Sequence, residues 1–290
     1  MAGLEIGLGI GARGPQRARV DLAGGALPPG AQFTRASAAR YRTADGRLAL
    51  APADAPRFDH DGPRALLIEP AATNLVPWSS DFAAPIWATD AAWGGTAPVI
   101  TPAAAPGPDG INPAMRIDFD RGEGFSRLFA SVATQAPGLH CLSLWLRSDT
   151  PGASIALRID GVAGATVMLG TGWTRHWIAA PVAEAAVCQL ILWNIIDGAP
   201  ATASVLAWGM QLEAGGAPSS TIDTAGIPAT RAADRMMLAA APLGLADGPA
   251  ALRLVFDDGS SAARSVAVEA GMIAVPADLP RHRLAAIEPA

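Results

Sequence analysis

Glycine and proline do most to limit what this chain can fold into. There are 31 Gly and 25 Pro in 290 residues, spread along almost the whole length. Each one weakens or breaks a helix, so a coiled coil or a long-helix protein is excluded. The stretches between them are apolar enough to pack: half of the residues are hydrophobic and eight are Trp, which excludes a disordered chain. Only 16% are charged, the formal net charge is −5, and all 21 basic residues are Arg. With no Lys and no basic run, no nucleic-acid partner is expected. No run of 18 apolar residues occurs, so no membrane insertion is expected. The N-terminus has no basic segment ahead of an apolar core, and synthesis and assembly in a bacterial cytoplasm are expected.

Period-two alternation is the main structural signal. Leu142, Leu144 and Leu146 alternate with Ser143, Trp145 and Arg147, and Ile155, Leu157 and Ile159 with Ala156, Arg158 and Asp160. Leu206, Trp208, Met210 and Leu212 alternate with Ala207, Gly209 and Gln211. Such alternation puts one set on a core face and the other on the opposite face of a sheet. Val187 to Trp193 is a more continuous apolar run, as expected of a central strand. Asp45-Gly46, Asp61-Gly62 and Asp258-Gly259 read as turns. The fold class is therefore mainly β, an antiparallel β-sandwich of jelly-roll type. Its expected divisions are an extended N-terminal attachment arm (1–30), the sandwich (31–238) and a small C-terminal β unit (239–290), with 235–249 as the joint.

No catalytic, metal or cofactor site is expected. Gly7-x-Gly9-x-x-Ala12 matches a dinucleotide fingerprint as a string, but no strand precedes it and no helix follows. No G-x-S-x-G occurs. His60, His140, His176 and His282 are scattered, and Asp59-His60-Asp61-Gly62 is ordinary turn chemistry. Asp118-Phe119-Asp120-Arg121-Gly122-Glu123 lacks a third side-chain ligand for Ca²⁺. Cys141 and Cys188 read as buried thiols. Trp173, Trp177, Trp193 and Trp208 lie in or near strands, and most of them are expected in the core. Trp78, Trp87 and Trp93 lie in a Pro- and Gly-rich stretch and are the candidate carbohydrate-binding residues, because an exposed indole face stacks on sugar C–H surfaces.

Several ordered motifs resemble a known family. They run from Phe33-Thr34-Arg35-Ala36-Ser37 through Pro56-Arg57-Phe58-Asp59 and Arg64-Ala65-Leu66-Leu67-Ile68-Glu69 to Thr73-Asn74-Leu75. Later come Trp208-Gly209-x-Gln211-Leu212-Glu213, Pro218-Ser219-Ser220 and Thr230-Arg231-Ala232-Ala233-Asp234. This is similar to the virion-surface module of tailed bacteriophages, found in head fibres, tail fibres and spikes. Composition also resembles the head spikes of alphaproteobacterial gene transfer agents. The chain departs from the family at Ser219-Ser220-Thr221-Ile222, where a Tyr is usual. The resemblance implies a lectin-like jelly roll on a virion surface, attached to a capsid or other virion protein through residues 1–30. It would bind host-surface polysaccharide as a homo-oligomer, trimeric or pentameric. The alternatives are a purely structural spike base or decoration protein, and a polysaccharide depolymerase. Arg35, Arg57, Glu69, Asn74, Glu213, Arg231 and Asp234 lie beside apolar strand residues and read as structural. Arg35 or Arg231 is expected to pair with Glu69 or Glu213 inside the fold.

Overall fold

The computed structural model of the chain describes residues 18–134, 136–196 and 198–290. The glycine-rich string at 7–12 and the first part of the expected arm, 1–17, lie outside the described residues. Seven short strands come first: β1 (Val20–Asp21), β2 (Gln32–Thr34), β3 (Ala39–Arg42), β4 (Leu48–Ala51), β5 (Phe58–Asp59), β6 (Ala65–Leu67) and β7 (Ala72–Asn74). Ten longer ones follow: β8 (Ala88–Ala92), β9 (Thr96–Pro106), β10 (Pro113–Asp120), β11 (Phe125–Ala133), β12 (Gly138–Arg147), β13 (Ser154–Ile159), β14 (Ala163–Met168), β15 (Thr174–Val182), β16 (Ala185–Trp193) and β17 (Thr202–Ala214). The last are β18 (Ala229–Arg231), β19 (Arg235–Ala239), β20 (Gly248–Phe256), β21 (Ser261–Glu269), β22 (Met272–Val275) and β23 (Arg283–Pro289). Helix among the described residues is one 3-10 turn, Ala241–Leu243. The fold is antiparallel β.

Strands β8 to β17 make the sandwich. One sheet has the order β15-β12-β17-β10-β9, the other β14-β13-β16-β11-β8. Leu142, Leu144, Leu146 and Ile178 of the first meet Leu128, Ile155, Leu157 and Leu190 of the second in one buried core. Cys188 is in that core and Cys141 is buried beside it, and burial pushes both thiols up to about 12. Strand β9 carries Pro98, Pro102 and Pro106 on a sheet edge, where a missing N–H costs no ladder bond and discourages further pairing.

One expected alternation breaks at Gly209. Trp208 does not share a face with Met210 and Leu212. The pairing of β12 with β17 shifts between Ser143 and Trp145, and Gly209 takes a left-handed φ of 65°. This β-bulge reverses the phase, so Ala207 and Met210 both point into the core while Trp208 points outward.

The strand pairing does not follow the divisions expected at 30 and 238. A nine-stranded sheet takes β1, β2, β5 and β6 from the first quarter of the chain and β19 to β23 from the last. It closes around its own core of Val20, Leu22, Phe33, Leu66, Ile68, Met236, Leu238, Leu252, Leu254 and Ile287. Val20 and Leu22 of the expected arm are thus core, and 235–239, expected to be part of a joint, form strand β19. The sandwich is inserted between two halves of a second unit. The β3–β4 hairpin joins them, since Leu48 packs on the outer face of the sandwich against Trp145 and Trp208.

Candidate functional site

The motif residues meet where the two cores join. Arg57 is fully buried and donates from Nη2 to Asp234 at 2.6 Å and Glu69 at 2.7 Å, and from Nη1 to Ser220 Oγ at 2.8 Å. Arg35 reaches the other Asp234 oxygen at 3.2 Å, and Arg231 Nε lies 3.7 Å from Glu69. The expected pairing of Arg231 with Glu69 is present. Glu213 instead accepts from Gln211 at 2.6 Å and from the Ser219 backbone and hydroxyl at 2.8 and 2.6 Å. Asn74 donates to Met210 O and Ile222 O and accepts from Val76 N and Leu212 N, so one amide staples β17 to β7.

Burial alone would raise Glu69, but Arg57, then Arg231, and two hydrogen bonds from Ser220 hold its carboxyl at about 2. Glu213 goes the other way: burial raises it, and Arg175 and Ser219 only partly offset that. These residues give the junction rigidity, and Glu69 keeps no proton to donate near neutral pH.

Above this network opens a cleft of about 390 Å³. Its sandwich wall is the outer face of β12 and β15, with Trp145, Thr174, Arg175 and Trp177. The facing wall comes from β3, the turn after β5, and Pro280–Arg283 at the start of β23. Ala217–Thr221 closes one side. Trp145 is buried and donates from Nε1 to Thr221 Oγ1 at 3.0 Å, with the Arg42 guanidinium 5.6 Å from its ring centre. Trp177 is 48% exposed, two residues beyond Arg175 on the same strand face. Arg175 donates to Ser219 O at 2.5 Å and Ser143 Oγ at 2.9 Å, and its buried Nε has no partner. Arg283 bonds Asp59 and, at 2.7 Å, Asp257. Burial lowers His282, leaving it neutral at pH 7, and its Nδ1 has no partner. An exposed indole on a rigid strand, with Arg, Asp and Ser side chains lining the cleft around it, can stack on a flat C–H surface while those polar groups meet hydroxyls.

The three Trp residues singled out from sequence are not brought together here. Trp87 is buried, edge-on to Phe82 at 5.0 Å, and its Nε1 donates to Trp78 O at 3.2 Å. Trp78 is half-buried, packed on the sandwich core and bridged to Ala225. Both pin the 76–87 loop to the sandwich, together with Val76, Phe82 and Ala84, which are buried in the same core. Trp93 is 69% exposed, on the opposite sheet. Of the four Trp in or near strands, most of them expected in the core, only Trp208 is fully buried, and on the outer face of its sheet; Trp177 is in the cleft. Trp177 is out of phase with Ile178, Ala180 and Val182 only through its immediate neighbour, and that alternation was the available signal for its outward direction.

No protein-family model matches the chain, and no curated protein matches it. Similar solved structures include the enzymatically active domain of tailspike protein 4 of bacteriophage CBA120, at 13% identity and a TM-score of 0.37, covering 48% of this chain. This chain spans 21% of the length of that domain. A carbohydrate-binding module of a Cellvibrio mixtus lichenase, solved with cellotriose, has 13% identity and a TM-score of 0.29, covering 44% of this chain and 97% of the module. A xylan-binding domain of a Paenibacillus barcinonensis xylanase has 11% identity and a TM-score of 0.30, covering 50% of this chain and 94% of the domain.

Proposed function

We propose that this chain is a surface protein of a phage or phage-like particle and that it binds host polysaccharide in the cleft beside Trp177. The observation that carries this reading is an exposed indole on a rigid strand, flanked by Arg175 and facing a wall of Arg, Asp and Ser side chains. The particle role rests on the ordered motifs. Their residues are the ones that join the two cores, so the resemblance follows the framework of the fold. Capsid attachment through the N-terminal segment would use residues before Val20, since Val20 and Leu22 are buried in the core. Binding is the proposed activity: Glu69 holds no proton to give a leaving group, and Asp59 is bonded to Arg283. A single open site of this size binds weakly, and a trimer or pentamer would act through avidity.

The test is a glycan array followed by titration calorimetry on the best polysaccharide, with wild type and Trp177→Ala. Loss of one stacking contact of about 1–1.5 kcal/mol lowers affinity about tenfold. Unchanged affinity in a variant with unchanged thermal unfolding would remove the cleft as the binding site.

A further inference from the structure

The outer face of the other sheet carries a second arrangement, on the far side of the sandwich from the cleft. Trp93 sits there, 69% exposed, in a left-handed conformation with φ 52°. A bulky residue adopts that conformation only where its surroundings impose it. Here they do. A Cβ on Gly124 would lie 2.1 Å from Ala92 O and 2.7 Å from Trp93 Cβ, so the two loops touch backbone to backbone. Asn194 clamps the same loop by donating to Gly124 O and Glu123 O.

Trp93 stands edge-on to Phe125 at 5.6 Å, and Phe125 edge-on to Trp193 at 6.5 Å, so the three rings form a continuous strip. Beside Trp193 runs a groove of about 270 Å³, lined by Ala156, Arg158, Thr166, Trp193 and the exposed Ile195. The Arg158 guanidinium lies 5.2 Å over the Trp193 ring. No hydrogen-bond acceptor or carboxylate meets it among the described residues, and its Nε is buried without a partner. Directly across the strand pair is Gln189, 1% exposed, whose Nε2 also has no partner. The other arginine of this face, Arg127, is already bonded through two nitrogens to Asp90.

We infer that this groove is a second ligand site, for a uronic-acid residue of an acidic polysaccharide. The sugar ring would stack on the Trp93–Phe125–Trp193 strip, and its carboxylate would take the unused Nη1/Nη2 fork of Arg158. A planar carboxylate matches one guanidinium fork. A phosphate or sulfate cluster would call for more than the one free cation the groove offers among the described residues. The inference rests on the reading of the chain as a polysaccharide binder, but it uses none of the residues of the Trp177 cleft.

The test uses the full chain with oligogalacturonate, oligomannuronate and, as a neutral control, cello-oligosaccharide. Binding is read by calorimetry at two salt concentrations and by the indole N–H signals in NMR spectra. Expected are binding of a uronate oligomer that weakens with salt, shifts at the Trp93 and Trp193 indoles, and a loss of tenfold or more in both Arg158→Gln and Trp93→Ala. In Trp177→Ala the uronate-induced shifts at the Trp93 and Trp193 indoles should persist. No uronate binding, equal binding of the neutral oligomer, or full affinity in Arg158→Gln would overturn the inference. Loss in Trp177→Ala with full affinity in Arg158→Gln would overturn it while supporting the cleft.

Discussion

At the scale of single residues, the junction depends on charges that are buried and matched. Arg57 touches two carboxylates and a hydroxyl, so removing one partner leaves an uncompensated charge in the interior. Glu69 gives a pH signature. Its carboxyl is held at about 2, below its ordinary value of 4.5, so its contribution to stability is present above 4.5 and lost as the pH falls towards 2. The contribution is on the order of 3 kcal/mol. Glu69→Gln should therefore be clearly less stable than wild type at pH 7, and the gap should narrow as the pH falls to 2. Urea unfolding followed by Trp fluorescence across that range checks this; a gap independent of pH would contradict it. Glu213, raised by burial, acts with the opposite sign and makes the wild-type acid transition shallower than Glu69 alone would.

At the scale of elements, alternation gives the faces of β12 and β13 directly, and β17 only in part. The sequence Leu206 to Leu212 alternates without a break, yet the bulge at Gly209 turns Trp208 away from the core. A Gly inside a strand pattern is compatible with a bulge, but the two-against-one pairing with β12 exists only once β12 is alongside. Gly209→Ala would put a Cβ in a left-handed position, 3.3 Å from Thr221 and 3.4 Å from Trp145. The expected cost is about 1–2 kcal/mol, read as a lowered thermal midpoint, with the Trp145 indole signal shifted as its bond to Thr221 adjusts. A variant as stable as wild type would mean that the bulge tolerates a side chain.

At the scale of the whole molecule, the chain leaves one unit, builds the sandwich, and returns to finish the first. The sheet around Leu66, Ile68 and Leu254 needs strands from both ends. Removing 235–290 takes away the neighbours of β1 and β2 and leaves β6 only the two-residue strand β5. In that truncation the amides of 65–68 should exchange with solvent at unprotected rates, while those of 142–146 stay protected because β12 keeps both of its neighbours. Protection at 65–68 in the truncated chain would show that the N-terminal strands hold together without the C-terminal ones. Removing residues up to Leu22 should cost about 3–5 kcal/mol, since Val20 and Leu22 are buried in the same core.

The sequence by itself determined the class of structure and its local geometry. Closely spaced Gly and Pro deny the chain long helices, and period-two patterns with Asp-Gly turns define strands and hairpins such as β3–β4 and β20–β21. The charged motif residues could be recognised as structural, because a charge set among apolar strand residues has to be paired. Which residues pair was a tertiary decision, as was the grouping of 20–75 with 229–289, since both depend on contacts between segments more than a hundred residues apart. The same holds for the Trp residues. An indole beside a strand is core or surface according to what covers it: the 76–87 loop buries Trp87, the β3–β4 hairpin covers Trp208, and nothing among the described residues covers the open faces of Trp177 and Trp93.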